Sequence, residues 1–223
     1  MALDLPETDD ARKLVADLDD SVGFYKIGLE LFMTGDAFAL ADELVEQGKE
    51  VFVDLKLFDV PNTVAGAVSR LQRRNVTFAT VHGNQNMLAA ACEQKGSLKV
   101  LGVTVLTSLD EDDLRDLGFQ CSPRELVLSR AKRAIEVGCD GVVSSGLEAP
   151  ALRADLGQNF MVVCPGIRPV ANVDDQKRTV DVGQAFRNGA DYIVVGRPIV
   201  KAESPRRAAE DVQQKIAAVF AGG

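Results

Sequence analysis

The chain has 223 residues, of which 46% are hydrophobic and 26% charged. This is the composition of an ordinary globular protein long enough to bury a full core, and it excludes intrinsically disordered and fibrous proteins. The formal net charge of −8 argues against a general nucleic-acid-binding protein, because such proteins carry a basic stripe. A small anionic ligand held by a few local cations is compatible with this charge.

The sequence offers neither a membrane span nor a cysteine framework. No stretch approaches the roughly 18 consecutive apolar residues of a transmembrane helix, and the first residues carry no basic region and no apolar signal core, which predicts a cytoplasmic protein. Without a Cys-x-x-Cys pair and with His82 as the one histidine, disulfide scaffolds and zinc clusters fit poorly. The cysteines, interpreted as small buried apolar residues, are Cys92, Cys121, Cys139 and Cys164.

Short apolar runs typical of strands alternate with longer segments of helical periodicity along the whole chain. The predicted strands cover residues 1–5, 23–28, 50–56, 77–82, 99–105, 141–144, 160–164 and 192–196. The predicted helices cover residues 8–18, 35–47, 61–74, 84–94, 123–137, 148–156, 180–188 and 205–220. Because each strand is followed by a helix and no linker divides the chain, we predict a single (β/α)8 TIM barrel domain over residues 1–223 rather than an open doubly wound sheet.

Charged residues collect near the carboxyl ends of the first three predicted strands. These are Asp4, Lys26, and the pair Asp54 and Lys56, with Asp59 following in the next turn. Because side chains alternate along a strand, Asp54 and Lys56 are expected on one side of the sheet. A lone Asp-x-Lys also fits a structural ion pair at a strand end, but four charged residues at one barrel mouth favour a functional site.

Two long irregular connections, residues 107–122 and 165–179, are expected on the strand-to-helix side, where barrel active sites are built. The second connection contains Arg168 and Gln176 and is suited to act as a lid.

Gly196 and Arg197 follow the last predicted strand, where barrels commonly bind phosphate on loop amides and a helix N-terminus. Taken alone, this Gly-Arg-Pro also fits a turn with a surface cation. His82 ends the fourth predicted strand, and we interpret it as an orienting or packing residue rather than a catalytic one.

The sequence of residues 54–63, Asp-Leu-Lys-Leu-Phe-Asp-Val-Pro-Asn-Thr, resembles the signature of the orotidine 5'-monophosphate decarboxylases. Further segments resemble the same family in order along essentially the whole chain: 2–4, 26–28, 103–108, 165–169, 175–178 and 195–198. The resemblance implies a homodimeric (β/α)8 barrel that decarboxylates orotidine monophosphate to uridine monophosphate. This is the last step of pyrimidine nucleotide synthesis, and the family uses neither a metal nor an organic cofactor.

The resemblance also implies roles for individual residues. Lys56 is expected to protonate the ring carbon that loses carbon dioxide, and Asp54 to lie beside the departing carboxylate. Lys26 and Asp59 are expected to complete the charged network, Asp59 and Thr63 reaching in from the neighbouring subunit. The remaining expected substrate contacts are Asp4 and Lys26 to the ribose hydroxyls, Thr107 and Ser108 to the pyrimidine, and Arg168, Gln176, Gly196 and Arg197 to the phosphate.

Two alternatives stay open at this point. A magnesium-dependent sugar-phosphate decarboxylase or hexulose-phosphate synthase of the same barrel suprafamily shares Asp-x-Lys-x-x-Asp, although residues 60–63 and 105–108 favour the pyrimidine enzyme. A non-catalytic nucleotide-binding barrel is the other. No nucleic-acid or membrane partner is expected.

Overall fold

Seven parallel strands form one curled sheet in which the strands follow chain order. The computed structural model describes residues 1–167 and 178–221, so the predicted contacts Arg168 and Gln176, and most of the predicted lid, lie outside the described residues. The strands are β1 (Phe24–Gly28), β2 (Glu50–Leu57), β3 (Phe78–Val81), β4 (Lys99–Val103), β5 (Gly141–Val143), β6 (Met161–Cys164) and β7 (Tyr192–Ile193).

Helices connect the successive strands, as parallel pairing requires. In the described parts of the chain they are α1 (Thr8–Leu18), α2 (Leu29–Phe32), α3 (Ala37–Glu46), α4 (Pro61–Gln72), α5 (Gln85–Gln94), α6 (Glu111–Asp116), α7 (Pro123–Glu136), α8 (Ala149–Leu156), α9 (Val182–Arg187), α10 (Arg197–Val200) and α11 (Pro205–Ala221), with a short 3-10 helix at Asp19–Ser21. None of them is both long and apolar enough to cross a membrane.

The local sequence explains where several of these helices begin. Pro61 stands in the first turn of α4, where its missing N–H costs nothing. Ser122 and Glu125 form a capping box at the start of α7. The Asp181 side chain accepts a hydrogen bond from the Gln184 amide at 2.8 Å, so α9 begins two residues after the predicted start at residue 180.

The predicted first strand, residues 1–5, was wrong in extent. Only one parallel bridge, between Ala2 and Lys26, is present there. The Ala2 amide donates to the Val195 carbonyl at 2.8 Å and the Leu3 amide donates to the Lys26 carbonyl at 2.9 Å, so these residues touch both edges of the sheet. Strand pairing does not continue beyond this segment, because Pro6 has no N–H to donate to the sheet. The predicted last strand, residues 192–196, is likewise shorter and ends at Ile193.

Buried side chains form two clusters, one on each face of the sheet. The larger cluster packs the strands against the surrounding helices. The smaller one joins side chains of different strands to one another and contains Phe52, Phe78, Leu101 and Val163. Because strand side chains alternate between two faces, this second cluster fills the concave side below the carboxyl ends of the strands. It therefore forms the floor on which the polar residues described next are placed.

Candidate active site

A cavity of about 300 Å³ opens where the strands end. Its wall is formed by the carboxyl ends of β1, β2, β4 and β5 and by the residues that follow β6 and β7. Eight of the residues singled out in the sequence line it together: Asp4, Lys26, Asp54, Lys56, Thr107, Ser108, Gly196 and Arg197.

Four charged side chains form a continuous array of alternating sign along one wall of this cavity. Lys26 Nζ lies 3.0 Å from Asp4 Oδ1 and 3.6 Å from Asp54 Oδ2. Lys56 Nζ lies 3.0 Å from the same Asp54 oxygen. The side chains of Lys26 and Asp54 are 10% and 13% exposed, whereas that of Lys56 is 38% exposed. Lys56 is thus the cation of the array with the greater access to the cavity.

Thr80, on β3, supports the centre of this array. Its hydroxyl donates to Asp54 Oδ1 at 2.8 Å and accepts from the Lys56 amide at 2.9 Å. Burial by itself would raise the pKa of the Asp54 carboxyl, but the charges of Lys26 and Lys56 and the hydrogen bonds from Lys56 and Thr80 outweigh burial and lower it. Asp54 is therefore a carboxylate at neutral pH.

The backbone at Lys56 departs from a regular strand. Its φ is +50°, in the left-handed region that costs a side-chain-bearing residue about 1 kcal/mol or more. The pairing of β2 with β3 shifts register between Val53 and Leu57, which marks a bulge in β2. The regular alternation of side chains between the two faces of a strand therefore does not hold between Val53 and Leu57. The bulge and the Thr80 hydrogen bond aim the Lys56 side chain instead.

Asp59 and Thr63 do not join the other predicted residues. Both are exposed and neither lines the cavity. Asp59 Oδ1 accepts a hydrogen bond from the Val60 amide at 2.6 Å. Four exposed apolar side chains follow β1 and β2 in the chain, and we call them the apolar patch: Leu29, Met33, Phe58 and Val60.

Sequence reasoning missed two polar residues at the carboxyl ends of strands. Thr80 was not singled out, because its partners lie on the neighbouring strand. Ser144, immediately after β5, lines the cavity with a buried hydroxyl that has no hydrogen-bond partner in the described part of the chain. A polar residue closing an apolar strand was the signal that identified Lys26 and Asp54, and the same signal was present at Ser144.

His82 lies just past β3 and outside the cavity wall. Its ring packs against Phe58 with centroids 5.7 Å apart, and its Nε2 lies 3.5 Å from Nη1 of Arg130. Burial, with the nearby charges of Arg130 and Lys56, lowers the pKa of the imidazole. A neutral, partly buried ring of this kind fits an orienting or packing role.

The sequence model of the orotidine 5'-phosphate decarboxylase / HUMPS family matches residues 1–212. The orotidine 5'-phosphate decarboxylase of Methylococcus capsulatus is 65% identical over 225 residues, which cover 100% of this chain and 93% of the relative. That of Stenotrophomonas maltophilia is 49% identical over 223 residues, covering 99% of this chain and 92% of the relative.

Solved structures are similar in fold over almost the whole chain. The crystal structure of orotidine 5'-phosphate decarboxylase from Lactobacillus acidophilus matches with a TM-score of 0.85 at 36% identity, covering 96% of both chains. The corresponding structure from Pyrococcus horikoshii matches with a TM-score of 0.78 at 26% identity, covering 97% of both. The residues that the family model matches include the whole charged array, and this chain belongs to the orotidine 5'-phosphate decarboxylase / HUMPS family.

Proposed function

We propose that this chain is an orotidine 5'-phosphate decarboxylase, which converts orotidine monophosphate to uridine monophosphate and carbon dioxide in the last step of pyrimidine nucleotide synthesis. The observation that carries the proposal is the alternating array of Asp4, Lys26, Asp54 and Lys56 in one cavity. The family name also covers HUMPS proteins, but the relatives at 65% and 49% identity are both named as the decarboxylase.

The array suits the chemistry of this reaction. When the bond between the ring and the carboxylate breaks, its electron pair stays on a ring carbon that has no electron sink. A cation already held in place stabilises that developing charge without reorganisation. Lys56, 3.0 Å from Asp54, is such a cation, and its ammonium then donates the proton that completes the product. The Asp54 carboxylate beside the departing carboxylate contributes repulsion in the ground state.

The other contacts follow from the same assignment. Asp4 and Lys26 bind the ribose hydroxyls, Thr107 and Ser108 the pyrimidine, and Gly196 and Arg197 the phosphate, and all six line the cavity. Arg168 and Gln176 are assigned to the phosphate on the resemblance alone. Binding energy from the phosphate, which is remote from the bond that breaks, can order the charged array.

We also propose a complete (β/α)8 barrel as one domain over residues 1–223. Its support is that the Ala2 amide donates to the Val195 carbonyl while the Leu3 amide donates to the Lys26 carbonyl, as an eighth strand between the two edges of the sheet would do. Cytoplasmic location and the absence of nucleic-acid and membrane partners stay predictions from the sequence.

A homodimer with shared active sites is the third part of the proposal. Asp59 and Thr63 are exposed and do not line the cavity of their own chain. Asp59 stands between Phe58 and Val60 in the chain, and the side chains of these two residues are 65% and 61% exposed. Several exposed apolar side chains close together in the chain favour a surface that another chain covers, whereas a single one is common on any protein. We propose that two copies dock through the apolar patch and that Asp59 and Thr63 of each copy contribute to the partner's cavity.

Turnover in the presence of a chelator tests the proposed function directly. Orotidine monophosphate is added to the protein in EDTA, and the loss of its ultraviolet absorbance is followed. We expect full activity. Activity abolished by EDTA and restored by magnesium would instead support a metal-dependent sugar-phosphate enzyme of the same suprafamily. Tight binding of uridine monophosphate without turnover would identify a non-catalytic nucleotide-binding protein.

Mixing two inactive variants tests the shared site. Lys56→Ala is expected to lower turnover by orders of magnitude while uridine monophosphate still binds through its phosphate, and Asp59→Ala is expected to be inactive for lack of its carboxylate in the partner's site. In an equal mixture, half of the dimers carry one intact site, so about a quarter of the wild-type activity should return. If differently tagged subunits exchange and no activity returns, Asp59 acts within its own chain.

A further inference from the structure

A buried ion pair joins three segments at the rim of the cavity. Arg178 Nη1 lies 2.6 Å from Glu148 Oε1, and the two side chains are 13% and 10% exposed. Glu148 stands just before α8, in the connection that follows β5. Arg178 lies in the connection between β6 and α9, and its carbonyl oxygen accepts from the Ser145 hydroxyl at 3.1 Å.

The same guanidinium also reaches the connection that follows β4. Its Nη2 donates to the Leu106 carbonyl at 2.9 Å and to the Val105 carbonyl at 3.2 Å. These two carbonyls directly precede Thr107 and Ser108, which line the cavity. Arg178 does not line the cavity itself. Its contacts therefore bear on the position of a cavity wall.

The chemistry of this pair indicates a geometric role. Removing two opposite charges from water costs about as much as their attraction returns, so a buried pair adds little net stability over apolar residues of the same size. An arginine differs from such residues in its rigid planar fork of donors, which fixes the direction of several acceptors at once. Here the fork fixes one carboxylate and two successive backbone carbonyls.

We propose that Arg178, held by Glu148, is a positioning residue that orients the 105–108 segment toward the base of the bound nucleotide. This rests on the proposed function, in which Thr107 and Ser108 contact the pyrimidine. Arg178 lies in the same connection as Arg168 and Gln176, which are assigned to the phosphate on the resemblance. Its guanidinium contacts the cavity wall that receives the base. Disturbing Arg178 should weaken contacts to the base and leave contacts to the ribose and phosphate unchanged.

The chain offers a matched control at Arg153. The Arg153 side chain is also buried, and its Nη2 lies 2.6 Å from Oδ2 of Asp191, whose side chain is 42% exposed. It also donates to two backbone carbonyls, those of Gly189 at 2.9 Å and Phe160 at 2.8 Å. Those residues precede β7 and β6, so Arg153 has the same chemistry at the opposite end of the sheet.

The test compares Arg178→Lys with Arg153→Lys. Inhibition constants of uridine monophosphate and ribose 5-phosphate, which lacks the base, are measured with kcat and KM for orotidine monophosphate. A lysine cannot keep the carboxylate and both carbonyls, so Arg178→Lys should weaken uridine monophosphate binding about tenfold. It should leave the ribose 5-phosphate constant unchanged and raise KM by a similar factor. Arg153→Lys should change neither inhibition constant.

Three results would overturn the proposal: no change in Arg178→Lys, an equal loss for both ligands, or the same base-dependent loss in Arg153→Lys. If Arg178→Lys does not fold, Glu148→Gln replaces it, because the amide oxygen still accepts from the guanidinium at reduced strength. The loss for uridine monophosphate should then be smaller but still confined to that ligand. Wild-type protein that does not decarboxylate orotidine monophosphate would instead refute the proposed function, so the two failures are distinguishable.

Discussion

Thr80 is a neutral residue on which the charge state and the geometry of its neighbours depend. One hydroxyl accepts from the backbone of Lys56 and donates to the side chain of Asp54. The first contact stabilises the left-handed backbone at Lys56, and the second helps to keep Asp54 ionised. The two reacting side chains of the proposed mechanism are thus placed by a residue that does not line the cavity.

Replacing Thr80 by valine should shift the pH dependence of turnover. The pKa of Asp54 is held below its ordinary value, so the carboxylate is present throughout the neutral range and is lost only in acid. Removing one hydrogen bond that lowers the pKa moves protonation to higher pH. In Thr80→Val, kcat/KM should therefore begin to fall at a higher pH as the solution is acidified. Thr80→Ser, which keeps the hydroxyl, should have the pH profile of the wild type. An unmoved acid limb in Thr80→Val would show that Thr80 does not tune Asp54.

At the scale of single elements, β1 ends in Gly28, where the neighbouring Lys26 and Asp4 side chains leave no space for a Cβ atom. At Gly28 the backbone φ is −97°, which any residue adopts. A Cβ at this position, however, would lie 2.8 Å from Lys26 Nζ and 2.9 Å from Asp4 Oδ1. The absence of a side chain at the end of this strand lets the first ion pair of the array form across it.

Gly28→Ala should separate catalysis from stability. The atoms that must move are the ends of two side chains, so we expect little change in Tm. The displaced ion pair should lower kcat/KM about tenfold, since errors of 1 Å in placement are costly in an active site. Gly23→Ala is the matched control, because it lies just before the other end of β1 and a Cβ there would meet nothing within 4 Å. Equal kinetics in the two variants would contradict this account.

The elements that could be predicted from the sequence are those with a local signal. The apolar runs of β1 to β6 and the helices α4, α5 and α7, which have start signals in the sequence, were located to within a few residues. The helices α2 and α10 have four residues each, too few to show a helical period. The bulge in β2 and the shared hydroxyl of Thr80 depend on register between strands, which no local pattern specifies. The structure therefore brings together Asp4, Lys26, Asp54 and Lys56 as the sequence predicted, but not Asp59. How the four side chains are held in place was not predictable from the sequence.

At the scale of the whole molecule, the apolar patch bears on the proposed dimer. Met33 is its most exposed member at 75%. A carboxylate in the middle of an interface is costly unless it is paired. Met33→Asp should therefore shift the molecule toward monomers in sedimentation and lower activity in parallel, because Asp59 and Thr63 no longer reach the partner's cavity.

The control for this prediction is Leu117→Asp. Leu117 is also an apolar residue that is mostly exposed, at 60%, but it lies at the end of α6 and outside the patch. It should leave both mass and activity unchanged. Monomers that retain full activity would contradict the shared site, and dimers that persist in Met33→Asp would place the interface elsewhere.

The hydrogen bond from Ala2 to Val195 has a consequence for the order in which the molecule is assembled. It joins residues that are far apart in the chain, and closing so long a loop has a larger entropic cost than closing a short one. Asp4 lies in the segment it fixes, and a Cβ at Gly196 would lie only 3.6 Å from Asp4 Oδ2. Lys26 and Asp54 come together when the neighbouring strands β1 and β2 pair, whereas the segment that carries Asp4 also needs Val195, which lies far along the chain. The charged array is therefore complete only when the two edges of the sheet have closed on the segment that carries Asp4.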